Sequence, residues 1–75
     1  GGFMDTLKIY QEYKFKKGGS EFHISEGEKL KVKTDEGIFE GVLTSVGAFG
    51  DDFHLDIGDE SVKIHCDKVI DIIPV

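Results

Sequence analysis

The chain has no arginine and no tryptophan, and only one proline and one cysteine, among its 75 residues. A single cysteine excludes an internal disulfide bond and is too few for a cysteine zinc cluster, which is typical of a reducing compartment. No apolar run is longer than three residues, so we expect neither a membrane-spanning segment nor a leader after Met4. These absences predict a cytoplasmic protein with no cofactor and no membrane partner.

The charges are unevenly distributed along the chain. Fifteen acidic residues against nine lysines give a net charge of −6. Residues 1–33 carry seven lysines and five acids, a net +2, whereas residues 34–75 carry two lysines and ten acids, a net −8. Proteins that bind duplex DNA present a basic face and usually contain arginine, because neutralising phosphates supplies much of their affinity. The charge pattern therefore argues against duplex DNA, and it leaves single-stranded RNA or a basic protein as partners.

The composition, with 39% hydrophobic and 32% charged residues, is that of one small globular domain. From Glu28 onward apolar and polar residues alternate, and a period of two is typical of half-buried strands. This pattern predicts strands at residues 29–34, 38–46, 53–57 and 62–66, and a short, more uniformly apolar run that Pro74 stops predicts a fifth at 69–73. Gly41 lies inside the second of these strands, where a glycine often marks the bend that a small barrel needs.

The N-terminal third fits two structures. Residues 5–17 have the spacing of an amphipathic helix. Residues 13–17, however, alternate strictly, and Gly18-Gly19 favours a hairpin turn. That hairpin would pair Tyr13 with Ile24, Phe15 with Phe22 and Lys16 with Glu21. We expect a short helical or irregular lead to about residue 12, followed by the hairpin.

A second hairpin is predicted around the turn Gly58–Ser61. If Ile57 faces Val62, the flanking strands match apolar and oppositely charged residues, which stabilises cross-strand pairing. The predicted pairs are Asp56 with Lys63, Leu55 with Ile64 and His54 with His65.

The fold class that follows is all-β, with a short N-terminal helix as an alternative for the lead. Five short strands within about 45 residues predict a small, strongly bent antiparallel barrel of the SH3-like or Sm-like type. The expected organisation is a cloning remnant at residues 1–3, an N-terminal extension at 4–27 and the barrel at 28–75.

Residues 28–73 resemble an Sm-like (LSM) domain. The first Sm motif has a glycine turn, Gly-x-Leu in a bent strand and a later leucine, and Gly37, Gly41-Val42-Leu43 and Leu55 hold these places. The second motif, Ile-Arg-Gly-Asp/Asn-x-Val-x-x-Ile, is similar to Ile64–Ile72, with His65-Cys66 in place of Arg-Gly. The Ile-Ile-Pro ending also resembles the bacterial Hfq-type proteins. The resemblance implies a barrel that self-assembles, in rings, and binds single-stranded RNA.

The same resemblance implies where RNA bases would sit. Asp52 falls at the motif's asparagine, Asp51 at its stacking residue and Ala48 at its acid, while His65 replaces the arginine. A carboxylate neither stacks on a base nor donates a hydrogen bond, so the family's uridine pocket is incomplete in this chain. The candidate RNA-binding residues are Phe49, Asp52, His65 and Cys66, together with the lysines Lys14, Lys16 and Lys17 that interleave with aromatic residues.

Each candidate also has a purely structural interpretation. Lysines that alternate with aromatic residues are typical of an amphipathic strand whose charged edge discourages unwanted pairing, and this interpretation is favoured here. Cys66 is predicted to be a buried, inert thiol on the inward side of its strand. Two histidines and two acids are predicted to share an outer face and could hold a metal ion, although a solvated strand pair is favoured: His54, His65, Asp52 and Asp67.

No motif in the sequence indicates catalysis. It contains no phosphate-binding glycine loop, no nucleophile elbow and no metalloprotease helix, and Gly47–Gly50 is interpreted as a connecting loop. The sequence favours a non-catalytic Sm-like module that forms homo-oligomers and binds single-stranded RNA. The alternatives are an acidic module that docks on a basic or RNA-handling protein, and a monomeric SH3-like accessory domain.

Overall fold

The computed structural model describes residues 6–75, so the predicted cloning remnant at residues 1–3 lies outside the described residues. The elements in chain order are β1 (Glu12–Lys17), β2 (Ser20–Ser25), β3 (Lys29–Thr34), β4 (Gly37–Val46), β5 (Asp52–Asp56), β6 (Ser61–His65), a 3₁₀ turn (Cys66–Lys68) and β7 (Val69–Pro74). They form a two-stranded sheet, β1-β2, and a five-stranded antiparallel sheet in the order β6-β5-β4-β3-β7. The all-β prediction is confirmed.

The alternative helix at residues 5–17 is wrong for the residues that are described. Residues 6–11 have no regular structure and β1 occupies the remainder. The described chain also contains no helix with the length and apolar character needed to cross a membrane. Alternation prevails over helical spacing here because a strand places Tyr13 and Phe15 on the same side, where both are partly buried against the core.

The N-terminal hairpin has the predicted register. Tyr13 pairs with Ile24, Phe15 with Phe22 and Lys16 with Glu21. Gly18 has a φ of 59°, while the φ of Gly19 is not positive, which is the pattern of a type II′ turn. This turn has the twist of the flanking strands, so two residues suffice to reverse the chain.

The core of the protein is built from residues of all five strands in the large sheet. Its buried apolar residues are Leu30, Val32, Leu43, Phe53, Leu55, Ile64, Val69 and Ile72, and the hairpin adds Ile24. All but Ile24 lie within the five predicted strands. The alternation assigns Leu30, Val32, Phe53, Leu55 and Ile64 to the core, whereas the uniformly apolar residues 69–73 predicted no core face. The hairpin packs on this core through Phe15, whose ring meets Phe53 edge-to-face with 5.4 Å between ring centroids.

The predicted register of the β5–β6 hairpin is wrong by two residues. Asp52 pairs with His65, His54 with Lys63 and Asp56 with Ser61, so the two histidines are not directly opposite each other. The turn has the predicted length of four residues but begins one residue earlier, at residues 57–60, where the Ile57 amide donates to the Glu60 carbonyl and the Gly58 amide donates to the Asp56 carboxylate. A shift of two residues leaves every side chain on its predicted face, so the alternation could not reveal it.

The bend predicted at Gly41 corresponds to a crowded position in β4. A Cβ atom placed on Gly41 would lie 2.5 Å from the Asp56 carbonyl oxygen of the neighbouring strand. Between Leu43 and Ser45 the pairing of β4 with β5 also shifts, which indicates a bulge. A bulge bends the strand that carries it, whereas Gly41 allows the close approach of β5 to β4, the middle strand of the sheet.

The short link between β6 and β7 requires the large sheet to curl. These strands lie at opposite edges, which in a flat five-stranded sheet would be about 19 Å apart. Only the three residues Cys66–Lys68 connect them, and the four Cα steps from His65 to Val69 span at most about 14 Å. A flat sheet therefore cannot accommodate this link, and the edges must approach each other.

Candidate ligand-binding groove

A groove of about 810 Å³ lies between the N-terminal hairpin and one end of the large sheet. One side is formed by β1 and its turn, namely Gln11 and residues 13–18. The other side is formed by the β4–β5 connection and the start of the 3₁₀ turn, namely Val46, Gly47, Ala48, Gly50, Asp52 and Cys66. The well-buried apolar residues Phe53, Val69 and Ile72 complete the lining and form its floor.

The contribution of β1 shows which part of the strand faces the groove. Residues 13–18 line it consecutively, although successive side chains of a strand point to opposite faces. A run of consecutive residues lines a groove only when the groove follows the edge of the strand. Because β2 occupies one edge of β1, the groove follows the other edge, which has no strand partner among residues 6–75.

The β4–β5 connection on the opposite side is a hydrogen-bonded turn. The Gly47 amide donates to the Asp52 carbonyl at 2.8 Å, and the Gly50 amide donates to the Gly47 carbonyl at 2.9 Å. Gly50 adopts a φ of 71°, and a Cβ atom on Gly47 would overlap the Asp52 carboxylate. The two glycines thus allow the turn to close tightly beside the groove.

The groove carries more positive than negative charge. Among residues 6–75, three lysines line it, Lys14, Lys16 and Lys17, and Asp52 is the only acidic residue in the lining. Six ion pairs form within residues 6–75, and none of them includes any of these three lysines. Asp52, in contrast, lies 3.5 Å from the ammonium group of Lys63. The groove thus has a surplus of cations in a protein that is acidic overall.

Cys66 is exposed, so the prediction of a buried thiol is wrong. The strand ends at His65, and the 3₁₀ turn takes Cys66 out of the alternation on which the prediction rested. Its thiol donates to the Gly50 carbonyl at 3.4 Å, and its amide donates to the Asp51 carbonyl at 2.9 Å. Partial burial raises the pKa of the Cys66 thiol, and the carboxylates of Asp51, Asp52 and Asp67 raise that pKa further. The thiol is therefore a weak nucleophile at neutral pH.

The structure brings together five of the seven candidate RNA-binding residues. Lys14, Lys16, Lys17, Asp52 and Cys66 all line the groove. The other two lie elsewhere: Phe49 is 92% exposed and outside the lining, and His65 lines a separate cavity of about 120 Å³. The lining therefore offers charge and the aromatic residues Tyr13, Phe15 and Phe53, but the candidate Phe49 is not part of it.

The predicted metal-ligand set is not assembled. His54 is paired with Lys63 across the strands, and its Nδ1 lies 3.3 Å from the Ser45 hydroxyl. His65 faces Asp52 instead. Within the part of the chain that the structure describes, no three histidine, cysteine or acidic side chains converge as metal ligands would. The separation follows from the corrected β5–β6 register.

Sequence reasoning missed two features of this surface. His23 lies 3.8 Å from Glu12 and 3.1 Å from Glu21, which forms an exposed cluster on the hairpin. The predicted hairpin register already places these residues near one another, so the signal was present. The contributions of Val69 and Ile72 to the groove had no such signal, because they arise from packing between distant segments.

Comparisons with protein-family models, with curated proteins and with solved structures give no match for this chain. The fold and the groove therefore carry the functional argument by themselves.

Proposed function

We propose that this protein is a non-catalytic, Sm-like module whose curled sheet forms a small barrel and which assembles with copies of itself. In the assembly, β6 of one copy pairs with β7 of the next. The observation that carries the proposal is the strand order β6-β5-β4-β3-β7, which leaves these two strands at the edges of the large sheet. Unpaired strand edges are templates for further pairing unless they are covered or charged.

The surface of β7 favours such pairing. Ile70 and Ile73 are 50% and 43% exposed on this edge strand, although both are large apolar residues. Pairing with another copy would cover them and satisfy the backbone groups of both strands. Because β6 and β7 are different surfaces, the contact is head-to-tail, and the curl of the sheet turns each copy relative to the last. A constant turn of this kind gives a ring when the rotation closes and a helical filament when it does not, and we propose the ring.

Single-stranded RNA is the ligand that the Sm resemblance implies, and it stays a prediction. The acids Asp51 and Asp52 occupy the positions of the stacking residue and the asparagine, and Phe49 lies outside the groove. These residues give RNA binding less support than the strand edges give self-assembly.

Docking on a basic protein is a second candidate, supported by one part of the surface. The end of the β5–β6 hairpin exposes Asp56, Asp59 and Glu60 together with Ile57. A basic partner would be attracted there by charge, and its binding would weaken as salt concentration rises. Replacing Asp59 and Glu60 by their amides should then weaken binding to a lysine-rich peptide.

Mass in solution tests the self-assembly proposal. We expect the full chain at micromolar concentration to give one discrete oligomer by sedimentation equilibrium and native mass spectrometry. The variant Ile73→Lys should dissociate it, because the substitution places a charge next to the paired edge. Ile38→Lys is the matched control, since Ile38 is exposed on the central strand β4. A wild-type monomer at about 100 µM, a concentration at which interfaces with micromolar Kd are filled, would overturn the proposal.

A further inference from the structure

We infer that the groove beside β1 binds an extended acidic peptide, which adds to the free edge of β1 as a third strand of the hairpin sheet. This inference goes beyond self-assembly and does not depend on it, because β1 belongs to the two-stranded sheet and the proposed assembly uses β6 and β7.

The first support is the backbone of β1. The groove follows the strand edge that faces away from β2, as the consecutive lining by residues 13–18 shows. Along such an edge every second residue directs its N–H and C=O groups outward. A peptide in extended conformation would pair with these groups, as in other cases of recognition by strand addition.

The second support is charge complementarity. Lys14 and Lys16 are two residues apart on one face of β1, and Lys17 follows at its end. Side chains at alternate positions of a strand are about 7 Å apart, and an added strand has the same spacing. Acidic residues at alternate positions of the peptide would therefore each lie opposite a lysine, a pairing that stabilises neighbouring strands.

The third support is the apolar floor. Phe53, Val69 and Ile72 line the groove beneath the hairpin. A bound strand directs the side chains between its acidic residues to the other face. Apolar side chains there would meet the floor and lose contact with water. The groove therefore fits a peptide in which acidic and apolar residues alternate.

A peptide fits the groove better than RNA does. RNA has no backbone amides to pair with a strand edge, and its sequence-tolerant binding relies on open aromatic faces. The ring of Phe15 is already packed against Phe53, and Phe49 lies outside the lining, so among the residues described only the partly buried Tyr13 offers an aromatic face to the groove.

The test measures binding of the full chain to a labelled ten-residue peptide of alternating glutamate and valine, by fluorescence polarisation. We expect saturable binding that weakens as salt concentration rises, and no binding of the analogue with lysine in place of glutamate. Replacing Lys14, Lys16 and Lys17 together by glutamine should weaken binding by about tenfold or more, since three exposed charge pairs are lost.

The matched control removes the same charge elsewhere. Lys29, Lys31 and Lys33 also alternate along one strand, β3, and their replacement by glutamine gives the same net charge as the β1 triple variant. The control should bind the acidic peptide like the unmodified protein. Equal losses in the two variants would overturn the inference, because only the overall charge would then matter. Circular dichroism of both variants confirms that they are folded.

Strand addition is tested separately by N-methylation of the peptide. A bound strand pairs along one edge only, so methylating the amides of the glutamates and methylating those of the valines must give different affinities. Equal affinities would exclude strand addition.

The proposal also fails if the acidic peptide does not bind while a labelled uridine decamer does bind and loses its binding in the β1 triple variant. That outcome would assign the groove to RNA.

Discussion

The five-stranded sheet and the N-terminal hairpin bury very different amounts of apolar surface. Every strand of the large sheet supplies at least one buried core residue, whereas the hairpin supplies only Ile24 and three aromatic residues that stay partly exposed. An isolated two-stranded hairpin is marginally stable in water. The comparison indicates that the large sheet determines the stability of the fold and that the hairpin is ordered by docking on it.

The two regions also differ in the state of their lysines. On the large sheet Lys29 and Lys31 contact Glu40, Lys63 contacts Asp52 and Lys68 contacts Asp35. The lysines of β1 have no such partner within residues 6–75 and line the groove instead. The hairpin thus contributes little to the core and much of the charge at the candidate site.

The largest expected effect comes from the core of the large sheet. Leu43→Ala should lower the free energy of unfolding by about 2–5 kcal/mol, because Leu43 is fully buried and the substitution leaves a cavity. Ile38→Ala, at an exposed position of the same strand, should change it by less than about 0.5 kcal/mol. Urea unfolding measures both. Similar losses for the two variants would show that β4 does not separate a core face from a solvent face.

A smaller effect is expected where β4 and β5 approach most closely. Gly41→Ala should cost about 1–3 kcal/mol, because the added methyl group meets a backbone carbonyl that has little room to move. Gly19→Ala in the hairpin is the control: a Cβ atom added there would have no neighbour within 4 Å, and the φ of Gly19 is not positive. The prediction fails if Gly41→Ala unfolds at the same urea concentration as Gly19→Ala.

Weakening the contact between the hairpin and the large sheet should lower the free energy of unfolding by less than Gly41→Ala does. Phe15→Leu removes the edge-to-face contact with Phe53, and such aromatic pairs contribute about 1 kcal/mol. Amide hydrogen exchange should accelerate in β1 and β2 and stay unchanged in β3 to β5. Phe49→Leu is the control, because this ring contacts solvent. Acceleration throughout the large sheet would contradict the idea that the hairpin depends on the sheet and not the reverse.

The smallest effect concerns Cys66, which lies where the two regions meet. Asp51→Asn removes a carboxylate that raises the pKa of this thiol, so the pKa should fall and the thiolate fraction at pH 8 should rise. Alkylation by iodoacetamide should then be faster by roughly 1.5- to 5-fold, as expected for an exposed charge contact.

The control for this measurement is Asp59→Asn, since Asp59 is not among the acids that raise the Cys66 pKa. The rates of all three proteins should converge in concentrated urea. A rate that Asp51→Asn leaves unchanged would show that the carboxylate of Asp51 does not raise the pKa of Cys66.

Local patterns predicted the features that depend on neighbouring residues. The register of the first hairpin followed from alternation and the Gly18-Gly19 turn, and a glycine inside a strand marked Gly41 as a special position of β4, although the prediction there was a bend. The β5–β6 register was missed because the pair that closes the turn is Asp56 with Ser61 and not Ile57 with Val62. Alternation cannot distinguish the two registers, since both keep every side chain on the same face. Cys66 was misplaced because a 3₁₀ turn replaced the end of the predicted strand.

The sequence by itself determined that this protein is all-β, where its strands run, which faces of them form the core and where its charges lie. These properties depend on side-chain polarity at a period of two, which is written directly in the chain. Only the tertiary structure decided that the lysines of β1 face Asp52 and Cys66 across one groove, and that β6 and β7 are the edges of the large sheet. Those relations join segments far apart in sequence, and they arise from the curl of the sheet and the docking of the hairpin, which no local pattern encodes.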